Sequence, residues 1–366
     1  MTAKEWLIVA MLPGLGARGL SDLMMHRPDW PAGWLACLKE PARSALRLWL
    51  DHPEKSSLQS RVDALETWLA GDVRRHLLHP EHPDWPTLLN QIPDPPAVLW
   101  AYGDLAALAP PCLAMVGTRR PTREGLGNAA GFSRELADRG WCIVSGMALG
   151  IDGQAQRAAL DSGGRTVAVL GCGVDVVYPP RHADLHQRLI DEGGLLLSEH
   201  PPGTRSRPAY FPRRNRIVTG LSLGVLVVEA ADRSGSLVSA RLATEQNRDV
   251  FAIPGSIHNP QASGCLTLIR DGAVLVTRVD DILAELGHWA QSWMPGQQEQ
   301  AATDTVEDTD PLLAWLSDTP TPLDALVNLT GNDVSSCQLR LLELELEGRV
   351  CQASGGWIRL PRSAGK

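Results

Sequence analysis

Six short apolar runs constrain this chain more than any other feature: CLAMVG (112–117), CIVSG (142–146), TVAVLG (166–171), GLLLSE (194–199), GVLVVEA (224–230) and DVFAIPG (249–255). Most end in Gly, Ser or Pro, and most precede a segment with helical periodicity. Strands this short and this continuously apolar are buried on both faces, as in a parallel sheet covered by helices on either side. The fold class expected is α/β, a doubly wound Rossmann-like core. In such sheets ligands bind beyond the carboxyl ends of the strands, where the glycine-rich turns of this chain fall.

The flanks are organised differently. Residues 1–80 place Trp6, Trp30, Trp34, Trp49 and Trp68 among Leu and Ala at helix-like spacing, and read as a small helical domain. A stretch containing Pro80, Pro93, Pro95 and Pro96 excludes regular helix, while Trp85, Leu88, Leu89, Val98, Leu99 and Trp100 make it an ordered connector. The core is assigned to 81–290. Residues 297–310 carry five acids and no base, which places an acidic linker at 291–309. Residues 310–361 alternate helical patterns with turns and close on a β-hairpin, the order of a winged helix. Between Asp310 and Leu346 the only basic residue is Arg340, so this module is expected to contact protein rather than a DNA groove.

With 34 Lys+Arg against 42 Asp+Glu, the formal net charge of -8 argues against blanket attraction to nucleic acid or anionic lipid. Any such contact needs a local basic patch. Lys4, Lys39, Lys55 and Lys366 are the only lysines, which excludes a P-loop and a Schiff-base lysine from the main body. The seven cysteines are far apart and read as buried apolar residues of a reducing compartment. The N-terminal run lacks the basic flank and cleavage site of a signal peptide, and no stretch reaches the length of a membrane span. A cytoplasmic location with no membrane contact is expected.

The basic patch lies in residues 203–220, GTRSRPAYFPRRNRIVTG. They hold Arg205, Arg207, Arg213, Arg214 and Arg216 with no acid among them, and Tyr210 and Phe211 are interleaved. Arginines that grip phosphates beside a ring on which a base stacks are the minimum equipment for single-stranded nucleic acid. The competing reading is a solvated loop whose aromatics plug the core. Glycine turns at 116–120, 145–152, 234–236 and 254–256 bring backbone N–H groups close to an anion along one sheet edge. No cofactor is expected, because Gly171-Cys172-Gly173 lacks the third glycine of a dinucleotide motif. No metal is expected either, because neither His76, His79 and His82 nor His182 and His186 have the partners of a zinc site. The serine turns lack the Gly-x-Ser-x-Gly of a nucleophile elbow. Asp152 and Glu229 act either as acid and base or as loop braces.

Taken in order, the string 116–120, SGMALGID (145–152), AVLGCGVDVVYP (168–179), SE (198–199), FPRRNR (211–216), the VVEA and SGSL segments (227–237) and VFAIPG (250–255) closely resemble the DprA (Smf) family. The likeness covers roughly residues 80–290. The N-terminal helices, with Leu12-Pro13-Gly14-Leu15-Gly16 as a helix-hairpin-helix turn, and the tail resemble that family's flanking domains. The resemblance implies a core that binds and protects single-stranded DNA and loads the recombinase RecA during DNA-mediated transformation. It also implies a homodimer and no enzymatic activity. Residue by residue, it implies phosphate binding by Gly117, Arg119, Ser145, Gly146, Arg213, Arg214, Asn215 and Arg216, with Phe211 or Tyr210 stacking on a base. Gln156 stands where many members have His and Ser239 where they have Thr, which disfavours histidine-dependent chemistry. The core is also similar to nucleotide-processing Rossmann enzymes of the cytokinin-activating type, with Ser234-Gly235-Ser236 at their glycine turn and Glu245 downstream. The alternative expectation is therefore an N-glycosidic or phosphoribohydrolase-like enzyme using Glu229, Glu245 or Asp152.

Overall fold

The computed structural model describes residues 1–293 apart from Arg27 and Arg233, and beyond them 312–313, 316, 321–330, 333–346, 349–353 and 356–359. They fall into two units, Met1–Met294 and Pro295–Lys366. The first opens with helices α1 (Ala3–Ala10), α2 (Ala17–His26), α3 (Ala32–Cys37), α4 (Ala42–Asp51) and α5 (Gln59–Ala70), followed by strands β1 (Arg75–Leu78) and β2 (Leu99–Gly103). The six apolar runs then form β3 (Cys112–Val116), β4 (Cys142–Ser145), β5 (Thr166–Leu170), β6 (Leu195–Ser198), β7 (Gly224–Val227) and β8 (Asp249–Ala252), and β9 (Val274–Leu275) closes the set.

The sheet order is β1-β2-β6-β5-β4-β3-β7-β8-β9. Strands β3 to β9 are parallel, whereas β2 pairs antiparallel with β6 and β1 antiparallel with β2. The parallel sheet expected is thus extended at one edge by two antiparallel strands. They flank the proline-rich stretch and are too short to show a period of their own. Because β1 lies before residue 80, the sheet begins within the segment read as helical.

Alternation along the strands accounts for their continuous apolar character. Leu113 and Met115 of β3 join Leu136 of α6 (Arg123–Asp138), Ile151 of α7 (Ile151–Asp161) and Ile282 of α12 (Val279–Trp293). Cys112, Ala114 and Val116 point the other way, to Ile217 of α9 (Tyr210–Gly220), Ala240 of α10 (Ser236–Glu245) and Cys265 of α11 (Ser263–Arg270). The N-terminal helices share a third core with the sheet, in which Trp6, Trp34, Leu46 and Val62 meet Trp100, Leu196 and Leu185 of α8 (Ala183–Asp191). Strand β3 has β4 on one side and β7 on the other, and successive strands run outward from it in both directions. A crevice therefore opens beyond the carboxyl ends of β3, β4 and β7.

The second unit contains α13 (Leu323–Thr330), α14 (Val334–Leu346) and the hairpin β10 (Val350–Ala353)–β11 (Gly356–Arg359), tied to residue 321 by a bridge from Trp357. Leu326, Leu341, Leu344, Val350 and Trp357 form its core. The acidic segment 297–310 lies outside the described residues. All seven cysteines are free and five are buried. Among the described residues, no helix is long and apolar enough to cross a membrane.

His79 sits where α1 meets the sheet. Its ring stacks on Trp6 at 5.7 Å and 12°. Burial pushes its pKa from 6.5 down to about 4, with the charge of His82 adding to the effect and that of Glu81 opposing it. In that interval the folded chain keeps a neutral imidazole while the unfolded chain binds a proton, so stability is lost as the pH falls. Denaturant titrations should show a loss of up to about 3 kcal/mol between pH 6.5 and 4. His79→Leu should reduce that slope, and an unchanged slope would contradict the assignment.

Candidate functional site

A pocket of about 500 Å³ occupies the crevice. The end of β3 supplies Val116 and Gly117, the turn after β4 supplies Gly146 and Ala148, and the start of α10 supplies Ser234, Gly235 and Ser236. Helix α9 contributes Phe211, Arg214 and Asn215, and Arg119, Asp152 and Tyr178 complete the lining. Two glycines are needed for close approach. A Cβ on Gly117 would stand 2.6 Å from Ile151 Cγ1, and one on Gly146 would stand 2.3 Å from Arg214 Nη2. Helix α10 begins at Ser236, whose amide donates to Ser234 Oγ at 3.3 Å while those of Leu237 and Val238 donate to the carbonyls of Ser234 and Gly235, so it offers the pocket the positive end of its dipole rather than free amides.

The basic segment is the first half of α9. Pro212 is tolerated in its first turn, where a missing N–H breaks no helical bond. A twist of about 100° per residue then sends Arg214 and Arg216 to different surroundings. Arg216, 6% exposed, donates from Nε to Asp94 Oδ2 at 2.9 Å and from Nη2 to Glu199 Oε1 at 2.6 Å. It is paired with two carboxylates and lies outside the pocket lining, away from the other residues expected to hold phosphate. Its two carboxylates come from the proline-rich stretch, 122 residues away, and from just beyond β6, 17 residues away.

Arg214, 7% exposed, has no such partner. Its Nη1 donates to the Val169 carbonyl, and its Nε has no hydrogen-bond partner. Burial pushes its pKa down to about 10, opposed by Asp152 and reinforced by the charge of Arg119. Asp152 acts on it through space, since its own Oδ2 accepts from the Gly146 amide at 3.1 Å and, at longer range, from that of Ala148. Burial raises the Asp152 pKa, against the pull of Arg214 and of those amides. Arg119 is exposed and forms no ion pair among the described residues. The pocket thus presents two cations with no balancing carboxylate in contact, one of them desolvated.

The structure brings together Gly117, Arg119, Gly146, Phe211, Arg214 and Asn215. It does not bring Ser145 into the lining: this fully buried hydroxyl donates to the Met115 carbonyl at 2.6 Å and ties β4 to β3. Arg213 is mostly exposed, with Nε 3.4 Å from Glu199 Oε2, and also lies outside the lining. Tyr210 is already stacked on His200 at 4.0 Å and 29°, with Arg207 over its ring, so Phe211 is the ring that faces the pocket. Tyr178 is the lining residue that reading the sequence did not single out. Its signal was a rare aromatic, one of three tyrosines, just beyond the glycine turn of β5.

The acids considered for catalysis have other work. Glu229 accepts from the Thr122 amide at 2.8 Å and from Asn259 Nδ2 at 3.3 Å, and its carbonyl holds the Thr118 amide at 2.7 Å. Glu245 is exposed at the end of α10, 3.7 Å from Arg241. Neither lines the pocket. His182 and His186 bond the carbonyls of Met147 and Val174, and no cluster able to hold a metal occurs among the described residues. Gln156 is fully buried and donates to the Val167 carbonyl at 3.1 Å, which joins α7 to β5.

Residues 76–287 match the family described as DNA recombination-mediator protein A, and residues 296–356 match the DprA winged helix domain. Over 320 residues the chain is 41% identical to protein Smf of Escherichia coli (strain K12), spanning 86% of this chain and 84% of that one. It is 45% identical over 205 residues to the DNA processing protein DprA of Streptococcus pneumoniae, spanning 55% and 71% of the two chains. The X-ray structure of that S. pneumoniae protein matches with a TM-score of 0.64 and 34% identity, over 78% of this chain and 98% of that one. A structure of DNA processing protein A from Helicobacter pylori, described by its single-stranded DNA binding mode, matches with a TM-score of 0.52 and 32% identity, over 58% and 95%.

The contrast between the two buried arginines has a direct consequence for stability. Arg216→Met takes the buried guanidinium away from Asp94 and from the half-buried Glu199, which keeps only Arg213 on its solvent side, and should cost up to about 3 kcal/mol. Arg214→Met removes an unpaired buried charge at similar volume and should leave the melting temperature unchanged or raise it. Equal losses from the two substitutions in thermal denaturation would show that Arg214 is paired after all.

Proposed function

The chain belongs to the DNA recombination-mediator protein A family, and on that premise we propose that its pocket binds single-stranded DNA for delivery to a recombinase. One observation carries this reading: Arg214 is buried with a positive charge that no carboxylate contacts. A desolvated guanidinium near the positive end of the α10 dipole is suited to phosphate, which it grips through several donors at once. Arg119 adds a second, exposed cation, and Phe211 offers an apolar ring beside them. That combination holds a strand by its backbone and stacks a base with little regard to sequence. The H. pylori relative is described by its single-stranded DNA binding mode, which supports the same ligand class here.

In this reading the phosphate contacts come from Gly117, Arg119, Arg214 and Asn215, with Gly146 leaving room for the Arg214 guanidinium and Phe211 as a stacking ring. Ser145, Arg213 and Arg216 serve by holding β4, Glu199 and α9 in place. The chain acts in the cytoplasm as a homodimer, protects incoming strands and loads RecA during transformation. Its winged-helix unit contacts protein. It binds without turnover: Glu229 and Glu245 stand outside the pocket, and Asp152 is held by the amides of its own turn. The nucleotide-hydrolase alternative is thereby left without a free carboxylate pair.

Fluorescence anisotropy with oligo-dT should show sequence-tolerant, salt-dependent binding. Arg119→Ala and Arg214→Met should each weaken it roughly tenfold and lower the salt slope by about one. Gly146→Ala should reproduce the Arg214 effect, because the added methyl displaces the guanidinium. Unchanged affinity in folded variants would overturn the site. Release of free base from nucleoside monophosphates, abolished by Asp152→Asn, would overturn the non-enzymatic reading.

A further inference from the structure

Tyr178 is the aromatic residue most open to solvent beside the pocket. It is 39% exposed, and among the described residues its hydroxyl makes no hydrogen bond. Phe211, by contrast, is half-buried and braced from two sides. A Cβ on Gly171 would stand 2.9 Å from its Cδ1, and the Tyr178 ring lies 5.2 Å away at a tilt of 32°. Tyr178 also lines a second hollow, of about 70 Å³, which shares Arg119, Gly146, Phe211 and Arg214 with the main pocket. The two rings therefore form one continuous aromatic wall that runs from inside the pocket to its rim.

A cavity of about 500 Å³ is the size of an ordinary small-molecule site and cannot enclose a polymer. A strand bound there has to leave over the rim. The rim at Tyr178 offers what a strand needs: an exposed ring, Arg119 beside it, and Arg181 three residues further on. Both arginines are exposed and form no ion pair among the described residues. Resting on the reading of the pocket as a single-stranded DNA site, we infer that Tyr178 is a second base-stacking residue. It takes the nucleotide next to the one held at Phe211 and Arg214, so the site grips two successive nucleotides. The competing role for Tyr178 is only to shield Phe211 from solvent.

The test uses the full chain and a ten-residue oligo-dT with 2-aminopurine placed at successive positions. Stacking on an aromatic side chain tolerates loss of the phenol hydroxyl but not of the ring. Tyr178→Phe should therefore bind within twofold of the unsubstituted chain, while Tyr178→Leu, which keeps an apolar side chain, should weaken binding about tenfold. Tyr178→Leu should also relieve 2-aminopurine quenching at a position adjacent to the one relieved by Phe211→Leu. If Tyr178→Leu binds normally while Phe211→Leu and Arg214→Met are weakened, Tyr178 is only a shield and this inference falls alone. It falls in the same way if the Phe and Leu substitutions weaken binding equally. If the unsubstituted chain does not bind oligo-dT, the pocket reading itself fails and takes the inference with it.

Discussion

Arg214 packs its guanidinium against the bare backbone of Gly146, bonds the Val169 carbonyl and touches no carboxylate. Much of the surrounding architecture follows from keeping that group in place. Gly146 has no side chain because the guanidinium fills the space. Asp152 is near enough to oppose the cost of burying the charge, yet its oxygen is tied to the amides of the β4 turn and does not quench it. Phe211, one turn back on the same helix, lies against Gly171 at the end of β5 and fixes how α9 enters the site. A charge buried this way is costly until an anion arrives, so the pocket is poised to gain stability from one.

The same helix shows how a sheet-edge site separates binding from support. Arg216, two residues on, is turned towards Asp94 and Glu199 and pairs with both. Arg213 reaches Glu199 from the solvent side. One carboxylate thus gathers two arginines of the cluster and leaves the third to the pocket. Ser145 plays an equivalent part below the β4 turn, where its hydroxyl locks two strands together so that Gly117 and Gly146 stand beside each other.

All six central strands were legible because double burial makes most residues of each run apolar. Strands β1 and β9 were not: four and two residues at sheet edges leave no pattern, and β1 and β2 flank prolines that mask them. For the site, the glycine turns and the Arg/aromatic segment could be read from spacing alone. The pairing within that segment could not. Asp94 lies 122 residues before Arg216, and no local pattern announces a contact of that range. Equally, nothing in the order Arg213-Arg214-Asn215-Arg216 tells which arginine stays unmatched until the helix phase is known. Net charge pointed away from nucleic acid, and its distribution over the fold reversed that inference.

The central claim is that an anion completes the environment of Arg214. Ligand-induced stabilisation tests it most directly, since a ligand that binds only the folded state raises its stability by about 2.7 kcal/mol at a hundredfold excess over Kd. Short oligo-dT at a fixed hundredfold excess should raise the melting temperature of the unsubstituted chain and raise that of Arg214→Met, which binds about tenfold more weakly, only about half as much. An equal rise in both would show that the strand is held elsewhere and that the buried charge has no part in binding.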